Sequence, residues 1–337
     1  MKRLFTMGCS LFVLTLIAAG PARAGEPSPV VPPSVTVPVS AAVPKLDGVI
    51  GENEWTGPVL QGFFQPNADQ MDRRGGRFAL ACDGTNLYVA VETPVHPRFG
   101  PVERNRSLDS TPRPPDDVVF DDSIEIWLAP GLSGPGEGAY QIMFDTRGGY
   151  SPQRFVDPTP SIHFFNVGWD LKGELARCSV IRGSRWTLET AIPLAALGSN
   201  APGTGLRLRV CRNYKLPWSQ TRDNSGVVYY KDPATMMQVR FQNSVPLVDE
   251  PDWVGVKGEQ ALVTLRNPTQ AAMKVLAAGK ELELAAGATQ EVPIPVRMGD
   301  NNARQADVTI TTQDGTVIHR RTAKWIVTDE QIWEEVL

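Results

Sequence analysis

Histidine and cysteine are scarce, with three of the first and four of the second in 337 residues. His96, His163 and His319 stand far apart and beside no cysteine pair, which excludes a zinc site built on His/Cys spacing. Nor does the chain contain a nucleophile elbow, a His-Glu-x-x-His metalloprotease helix or a phosphate-binding glycine loop. Long amphipathic helix patterns are missing too. The one sustained apolar run, Leu11 to Ala19, falls far short of the roughly 20 residues that span a bilayer, so no transmembrane anchor is expected.

That run follows Lys2 and Arg3 and ends in the small residues Ala22-Arg23-Ala24, the layout of a secretory leader over 1–24. Cys9 precedes the apolar run, where a lipoprotein cysteine would follow it. Removing the leader takes away Lys2, Arg3 and Arg23 and moves the formal charge from -4 to -7, a balance that argues against nucleic acid as a partner. The remaining Cys82, Cys178 and Cys211 cannot all pair with one another. A chain this long needs no disulfide staples, so three small apolar core residues are expected over one disulfide with a spare thiol.

What the sequence has in quantity is short β-type segments. Residues 25–38 hold five prolines and read as an extended spacer. From 39 to 243, runs rich in branched and aromatic residues at 77–82, 86–92, 123–128, 139–145, 175–181, 185–192 and 205–213 alternate with Gly, Pro, Asp and Asn, which predicts an antiparallel β-sandwich. Asp83-Gly84-Thr85-Asn86 marks a hairpin between the first two. After a boundary expected at Asp249-Glu250-Pro251-Asp252, residues 254–328 repeat the same grammar on a smaller scale and predict an immunoglobulin-like sandwich serving as spacer or docking unit. The tail 329–337 predicts a turn or two of helix, with Thr328 and Gln331 as a capping box.

The most informative stretch is Asp121-Asp122-Ser123-Ile124-Glu125-Ile126-Trp127-Leu128. Successive side chains of a strand point to opposite faces, so Ile124, Ile126 and Leu128 face a core while Ser123, Glu125 and Trp127 face away. Tyr140, Ile142 and Phe144 split in the same way from Gln141, Met143 and Asp145. A sugar presents apolar CH faces and a ring of hydroxyls, so its site needs an aromatic platform beside carboxylate, amide or guanidinium groups. Glu125, Gln141, Asp145 and Arg212 provide candidates for the polar part, and Trp218, Tyr230 or Phe120 for the platform. Glu125 and Glu189 have an alternative reading as cross-strand partners of Arg207 and Arg209. Trp55, Trp127 and Trp186 lie in apolar patterns and are expected to pack, whereas Trp218 lies in a loop and is the freest to touch a ligand. The acids Asp116, Asp117, Asp121 and Asp122 read as a solvated loop, with Asp121 and Asp122 the candidates for calcium, although no EF-hand spacing is present.

Several segments in order carry a resemblance: Leu46-Asp47-Gly48 with Glu52-Asn53-Glu54-Trp55, Asp83 to Val91, Asp122 to Ile126, Trp186 to Pro193 with Leu197-Gly198, Cys211-Arg212, and Tyr230-Lys231-Asp232-Pro233. Together they resemble family 9 carbohydrate-binding modules and their DOMON-related relatives over about 200 residues. The resemblance implies a sugar-binding sandwich, often with structural calcium and partnered with glycan-degrading enzymes. It also implies two departures: Val119, with Phe120 beside it, stands where a ligand-stacking aromatic is expected, and Met143 where a basic residue is. The expected function is a secreted or periplasmic, non-catalytic protein that binds polysaccharide or oligosaccharide, linked to glycan capture or catabolism. It would need no cofactor beyond possible structural calcium, and its protein partner would be a glycan-degrading enzyme or an envelope protein. The alternatives are a glycoside hydrolase or lyase using carboxylates on the sandwich face, an envelope interaction module without sugar binding, and, since related sandwiches include cytochrome domains, haem binding, for which no Cys-x-x-Cys-His is present.

Overall fold

The computed structural model describes residues 31–51, 54–65, 69–103, 118–132, 138–156, 165–171, 173–198, 203, 205–216, 218–223 and 232–328. The leader, Asp116, Asp117, His163, Tyr230 and the tail 329–337 lie outside the described residues. The first half of the chain forms β1 (Ser34–Val37), β2 (Val59–Gln61), β3 (Arg77–Cys82), β4 (Asn86–Pro94), β5 (Ser123–Pro130), β6 (Ala139–Asp145), β7 (Tyr150–Val156), β8 (Phe165–Gly168), β9 (Arg177–Arg182), β10 (Arg185–Pro193), β11 (Gly205–Lys215), β12 (Trp218–Arg222) and β13 (Met237–Phe241). The second forms β14 (Leu247–Asp249), β15 (Gln260–Arg266), β16 (Met273–Ala277), β17 (Lys280–Leu284), β18 (Thr289–Met298), β19 (Ala303–Thr312) and β20 (Val317–Ile326). Among the described residues no helix is long and apolar enough to cross a membrane.

The strands form two layers. In the first, β8, β7, β6, β5 and β11 pair in turn, and β11 continues to β12 at one end and β13 at the other. The second runs β9, β10, β4, β3, β2. Ile124, Ile126 and Leu128 meet Phe78, Leu80, Val89, Val91, Trp186 and Leu188 in one apolar core between the layers. Each such side chain contributes about 1.5–3 kcal/mol by leaving water. Trp55, Trp127 and Trp186 are all buried, as the patterning predicts. Cys82, Cys178 and Cys211 are free thiols, and Cys82 and Cys211 are buried.

Two expectations need correction. Ser34 to Val37, expected in a spacer, is a fully buried strand. It pairs in parallel with β13 on one side and antiparallel with β20 on the other, joining the two halves in one layer. Its Ser-Val-Thr-Val alternation, which proline-rich surroundings disguised, places Val35 and Val37 in the core. In the other layer β2 meets β14 in parallel, so both layers cross the junction and the sandwich is not wholly antiparallel. The second correction concerns Asp249 to Asp252, expected to be a domain boundary. Asp249 ends β14, and Glu250 is buried, accepting bonds from the Gln61 amide at 3.0 Å, the Trp253 indole at 3.1 Å, His319 Nε2 at 3.0 Å and the Arg321 guanidinium. The second half has its own core of Val263, Leu265, Ile294, Val308, Ile310 and Trp325.

Candidate functional site

Register decides which side chains share the outer face of the first layer. Glu125 lies opposite Cys211 on β11 and Met143 on β6, and Met143 lies opposite Ser151 on β7. The next row toward the layer's interior is Arg209, Trp127, Gln141 and Gln153. Toward the end of the layer, Asn213 pairs with Ser123 and with Gln220, and Lys215 pairs with Trp218. Glu125, Gln141, Met143, Asp145 and Trp218 therefore share one face.

Glu125 is the hub of this face. Its Oε2 accepts from the Trp127 indole at 2.7 Å and from Gln141 Nε2 at 2.8 Å, while Oε1 accepts from Asn213 Nδ2 at 2.6 Å. Asn213 also donates to Ser123 Oγ at 3.1 Å, and Gln153 donates to Gln141 Oε1 at 3.1 Å. All the donors to Glu125 are neutral, so the alternative reading of an ion pair with Arg207 or Arg209 does not hold. Arg209 instead meets Asp223 at 3.4 Å and donates to the Thr235 carbonyl at 2.6 Å, and Arg207 donates to the Leu132 carbonyl at 2.9 Å. Glu125 is 4% exposed, so this polar group is closed and bonded to itself. Sequence reasoning missed Asn213, Trp127, Ser123 and Gln153 as its members, because only register across four strands brings them together.

The open part of the face is its end. Trp218 is 65% exposed, with Lys215 Nζ 4.1 Å from its ring centroid, a cation–π contact. Phe120 is 57% exposed in the turn leading into β5. Asp122 holds that turn against the β11–β12 hairpin by accepting from the Lys215 amide at 2.7 Å. Val119 and Leu216 add exposed apolar surface at the same end.

Arg212 is not part of this face. It pairs with Ile124, a core-facing residue, and so points between the layers. There it is fully buried, donating to Thr93 Oγ1 at 3.1 Å and Asp122 Oδ2 at 3.2 Å, with its guanidinium 4.0 Å from the Tyr214 ring centroid. Asp145 is likewise buried and shapes the β6–β7 turn, Oδ1 accepting from the amides of Arg147 at 2.9 Å and Gly149 at 2.8 Å.

Asp121 and Asp122 do not suit calcium. Both Asp122 oxygens are already bonded, one to the Arg212 guanidinium, and Arg147 lies 4.0 Å from Asp121. Calcium takes six to eight oxygens, and two neighbouring guanidinium cations oppose it. No group of three acids, histidines or cysteines placed to hold a metal occurs among the described residues.

Glu189 belongs to the other layer and to a different task. Its Oε2 accepts from the Gly48 amide at 2.7 Å, and Arg182 donates to the Asp47 carbonyl at 3.0 Å and to the Gly48 carbonyl. Burial pushes the Glu189 carboxyl up to about 7, and Asp47 and Glu54 add to the rise. Gly48 has φ +80°, and a Cβ there would stand 2.9 Å from Val180 Cγ2. The Leu-Asp-Gly segment and the Glu189 strand, 141 residues apart, thus form one structural clasp that covers Trp55 and Tyr88.

No protein-family model and no curated protein sequence matches the chain. Among solved structures, a proposed carbohydrate-binding protein of Bacteroides uniformis ATCC 8492 is similar at 14% identity and TM-score 0.44, the match covering 62% of this chain and 99% of that one. A family 9 carbohydrate-binding module of Caldicellulosiruptor kristjanssonii is similar in its glucose complex at 16% identity and TM-score 0.39, covering 62% and 97% of the two chains. In its cellotriose complex the values are 15%, 0.40, 63% and 95%. These include the family whose motifs the sequence resembles, and at such identities and scores they transfer no residue roles to this chain.

Proposed function

We propose that this chain is a secreted, non-catalytic carbohydrate-binding protein that holds polysaccharide or oligosaccharide at the open end of the first layer. The observation that carries the reading is Trp218, an exposed indole on the same face as the Glu125 polar group, with the Lys215 ammonium beside it and Phe120 at the same end. An indole gives a sugar's CH face a flat apolar surface, and Lys215 and Gln220 offer hydrogen bonds to its hydroxyls. The leader and the ordered motifs support a role in glycan capture outside the cytoplasm, beside a glycan-degrading enzyme or an envelope protein. Binding ranks above hydrolysis because a glycosidase carboxylate must reach substrate or water, and Glu125 is closed to both and saturated with donors.

Calorimetry of the mature chain against a panel of soluble oligosaccharides and plant or algal polysaccharides tests this. Binding should survive chelator and weaken about thirtyfold in Trp218→Ala, the loss of about 2 kcal/mol usual for a central aromatic contact. A folded protein that binds nothing in the panel overturns the proposal, and binding indifferent to both Trp218→Ala and Phe120→Ala moves the site elsewhere.

A further inference from the structure

The outer face of the second layer carries a groove of about 430 Å³ where that layer crosses the junction. Its floor and rims come from β3, β2, β14, β15 and β18, each paired with the next, and one wall comes from Ile50, Gly51 and Trp55. We propose that this groove is a second saccharide site, taking a neutral stretch of a glycan on the side of the sandwich opposite Trp218. The inference takes its ligand class from the reading above and shares no residue with it.

Register places the lining on one face. Gln61 lies opposite Arg77, Val59 opposite Asp249, Asp249 opposite Thr264, and Arg266 opposite Thr289. The residues that alternate with them, Leu60, Phe78, Val248 and Leu265, point into the two cores. Val59, Gln61, Arg77, Asp249, Thr264 and Arg266 are half-buried and Thr289 is exposed, so solvent reaches this set and a ligand can.

The charges of the groove are matched among themselves. Arg266 donates to Asp249 through Nε at 2.6 Å and Nη2 at 3.2 Å, and Arg77 Nε donates to Glu92 at 3.2 Å. An ionic ligand would have to compete with these pairs. What remains is hydrogen-bonding capacity: Nη1 of Arg77 and of Arg266, the Gln61 side-chain amide and the hydroxyls of Thr264 and Thr289 have no protein partner among the described residues. A sugar hydroxyl both donates and accepts, so it suits such a mixed set, and Val59 and Ile50, packed beside Trp55, offer apolar contact to its CH groups. The groove is also preformed. The Val59 amide donates to Asp249 Oδ1 at 3.2 Å and the Gln61 amide to Glu250 at 3.0 Å, while the clasp of Glu189 on the Gly48 amide and the bond of the Lys45 amide to Glu54 at 2.7 Å hold the wall. Preformed groups lose little freedom on binding, and the volume falls within the range of roughly 300–1,000 Å³ usual for small-molecule sites.

Calorimetry of the mature chain with the neutral probes cello-, xylo- and mannohexaose, and with hexagalacturonate as the anionic comparison, tests the site. Trp218→Ala should retain binding of at least one neutral hexaose. Thr264→Arg added to Trp218→Ala fills the floor from an outward-facing position and should weaken what remains by about tenfold or more. Gln61→Ala added to Trp218→Ala removes only a side-chain amide without a protein partner and should weaken it about fivefold. Gln313→Arg, the same added charge in the exposed β19–β20 turn, should leave binding unchanged. If Trp218→Ala abolishes all binding, or the remainder ignores both Thr264→Arg and Gln61→Ala, the groove is not a saccharide site and the reading at Trp218 stands alone. If Thr264→Arg abolishes all binding and Trp218→Ala none, the groove stands and the reading at Trp218 falls. Binding of hexagalacturonate alone, or of no probe, overturns the proposal.

Discussion

Replacing Glu250 by Gln should remove stability that depends on pH in a defined way. Glu250 is buried at the junction of the two halves. Burial alone would raise its carboxyl, but Arg321 and His319 outweigh it and hold it down from 4.5 to about 2. At about 1.4 kcal/mol per pH unit, that difference corresponds to about 3 kcal/mol of folding stability. Because the folded value is lowered, the contribution is fully present above about pH 4.5, shrinks as pH falls, and is nearly gone at about pH 2. Arg321 also donates to the carbonyls of Gln61 at 2.7 Å, Gly62 at 2.8 Å and Asp223 at 3.0 Å, so the carboxylate fixes the guanidinium that ties three segments together. Urea unfolding followed by tryptophan fluorescence, with Trp253 bonded to Glu250 as a local reporter, gives the difference between wild type and Glu250→Gln at each pH. The expected gap is about 3 kcal/mol at pH 7, closing to under about 1 kcal/mol at pH 2. Other groups titrate in both proteins and largely cancel in the difference. A gap below about 1 kcal/mol at pH 7, or one that does not change with pH, would refute the reasoning.

Asp223 should act with the opposite sign. Burial pushes its carboxyl up from 3.8 to about 6 against the pull of Arg209 and Arg321, so stability should fall by about 3 kcal/mol as pH rises from about 4 to 6, and Asp223→Asn should flatten that slope in a series of melts. Gly57→Ala should destabilise the fold by more than about 2 kcal/mol, because a Cβ there would stand 2.0 Å from the Leu80 carbonyl oxygen; denaturant titration reads it, and a change under about 0.5 kcal/mol refutes it. In native protein Cys82 and Cys211 should resist a thiol reagent, since both are buried and burial pushes both thiols up, while Cys178 reacts first and three thiols appear on unfolding. Fast labelling of Cys211 without denaturant contradicts that burial.

Much of the fold could be read from local alternation. The predicted runs at 77–82, 123–128 and 205–213 fall within β3, β5 and β11, because each alternates or concentrates branched side chains over a length that one core-facing strand requires. The strands that escaped, β7, β12 and β13 among them, are short or carry Pro152, and their pairing is decided by neighbours distant in sequence. The site was legible in part. Glu125, Gln141 and Met143 were placed on the correct face by parity alone, and Trp218, expected in a loop, begins β12 instead but is exposed as expected. Arg212 was offered for its guanidinium chemistry, yet Leu206, Leu208 and Val210 share its parity and face the core, so alternation along β11 already points Arg212 inward and Asn213 outward. The hydrogen-bonded closure of Glu125 could not be read, since it depends on the register of four strands at once.

The junction shows why composition is a poor guide to boundaries. Asp249-Glu250-Pro251-Asp252 has the acid and proline content of a solvated linker, and Ser34 to Val37 lies among prolines, yet both sit in the seam. Two separate sandwiches would leave the edges of β13, β20, β2 and β14 with unpaired amides and carbonyls, open to other chains. Inserting β1 between β13 and β20 closes one pair of edges, and joining β2 to β14 closes the other. That strand enters from the N-terminal segment and runs parallel to β13 and antiparallel to β20. Both layers thus cross the junction by backbone pairing, and the Glu250–Arg321 ion pair is buried at the same seam.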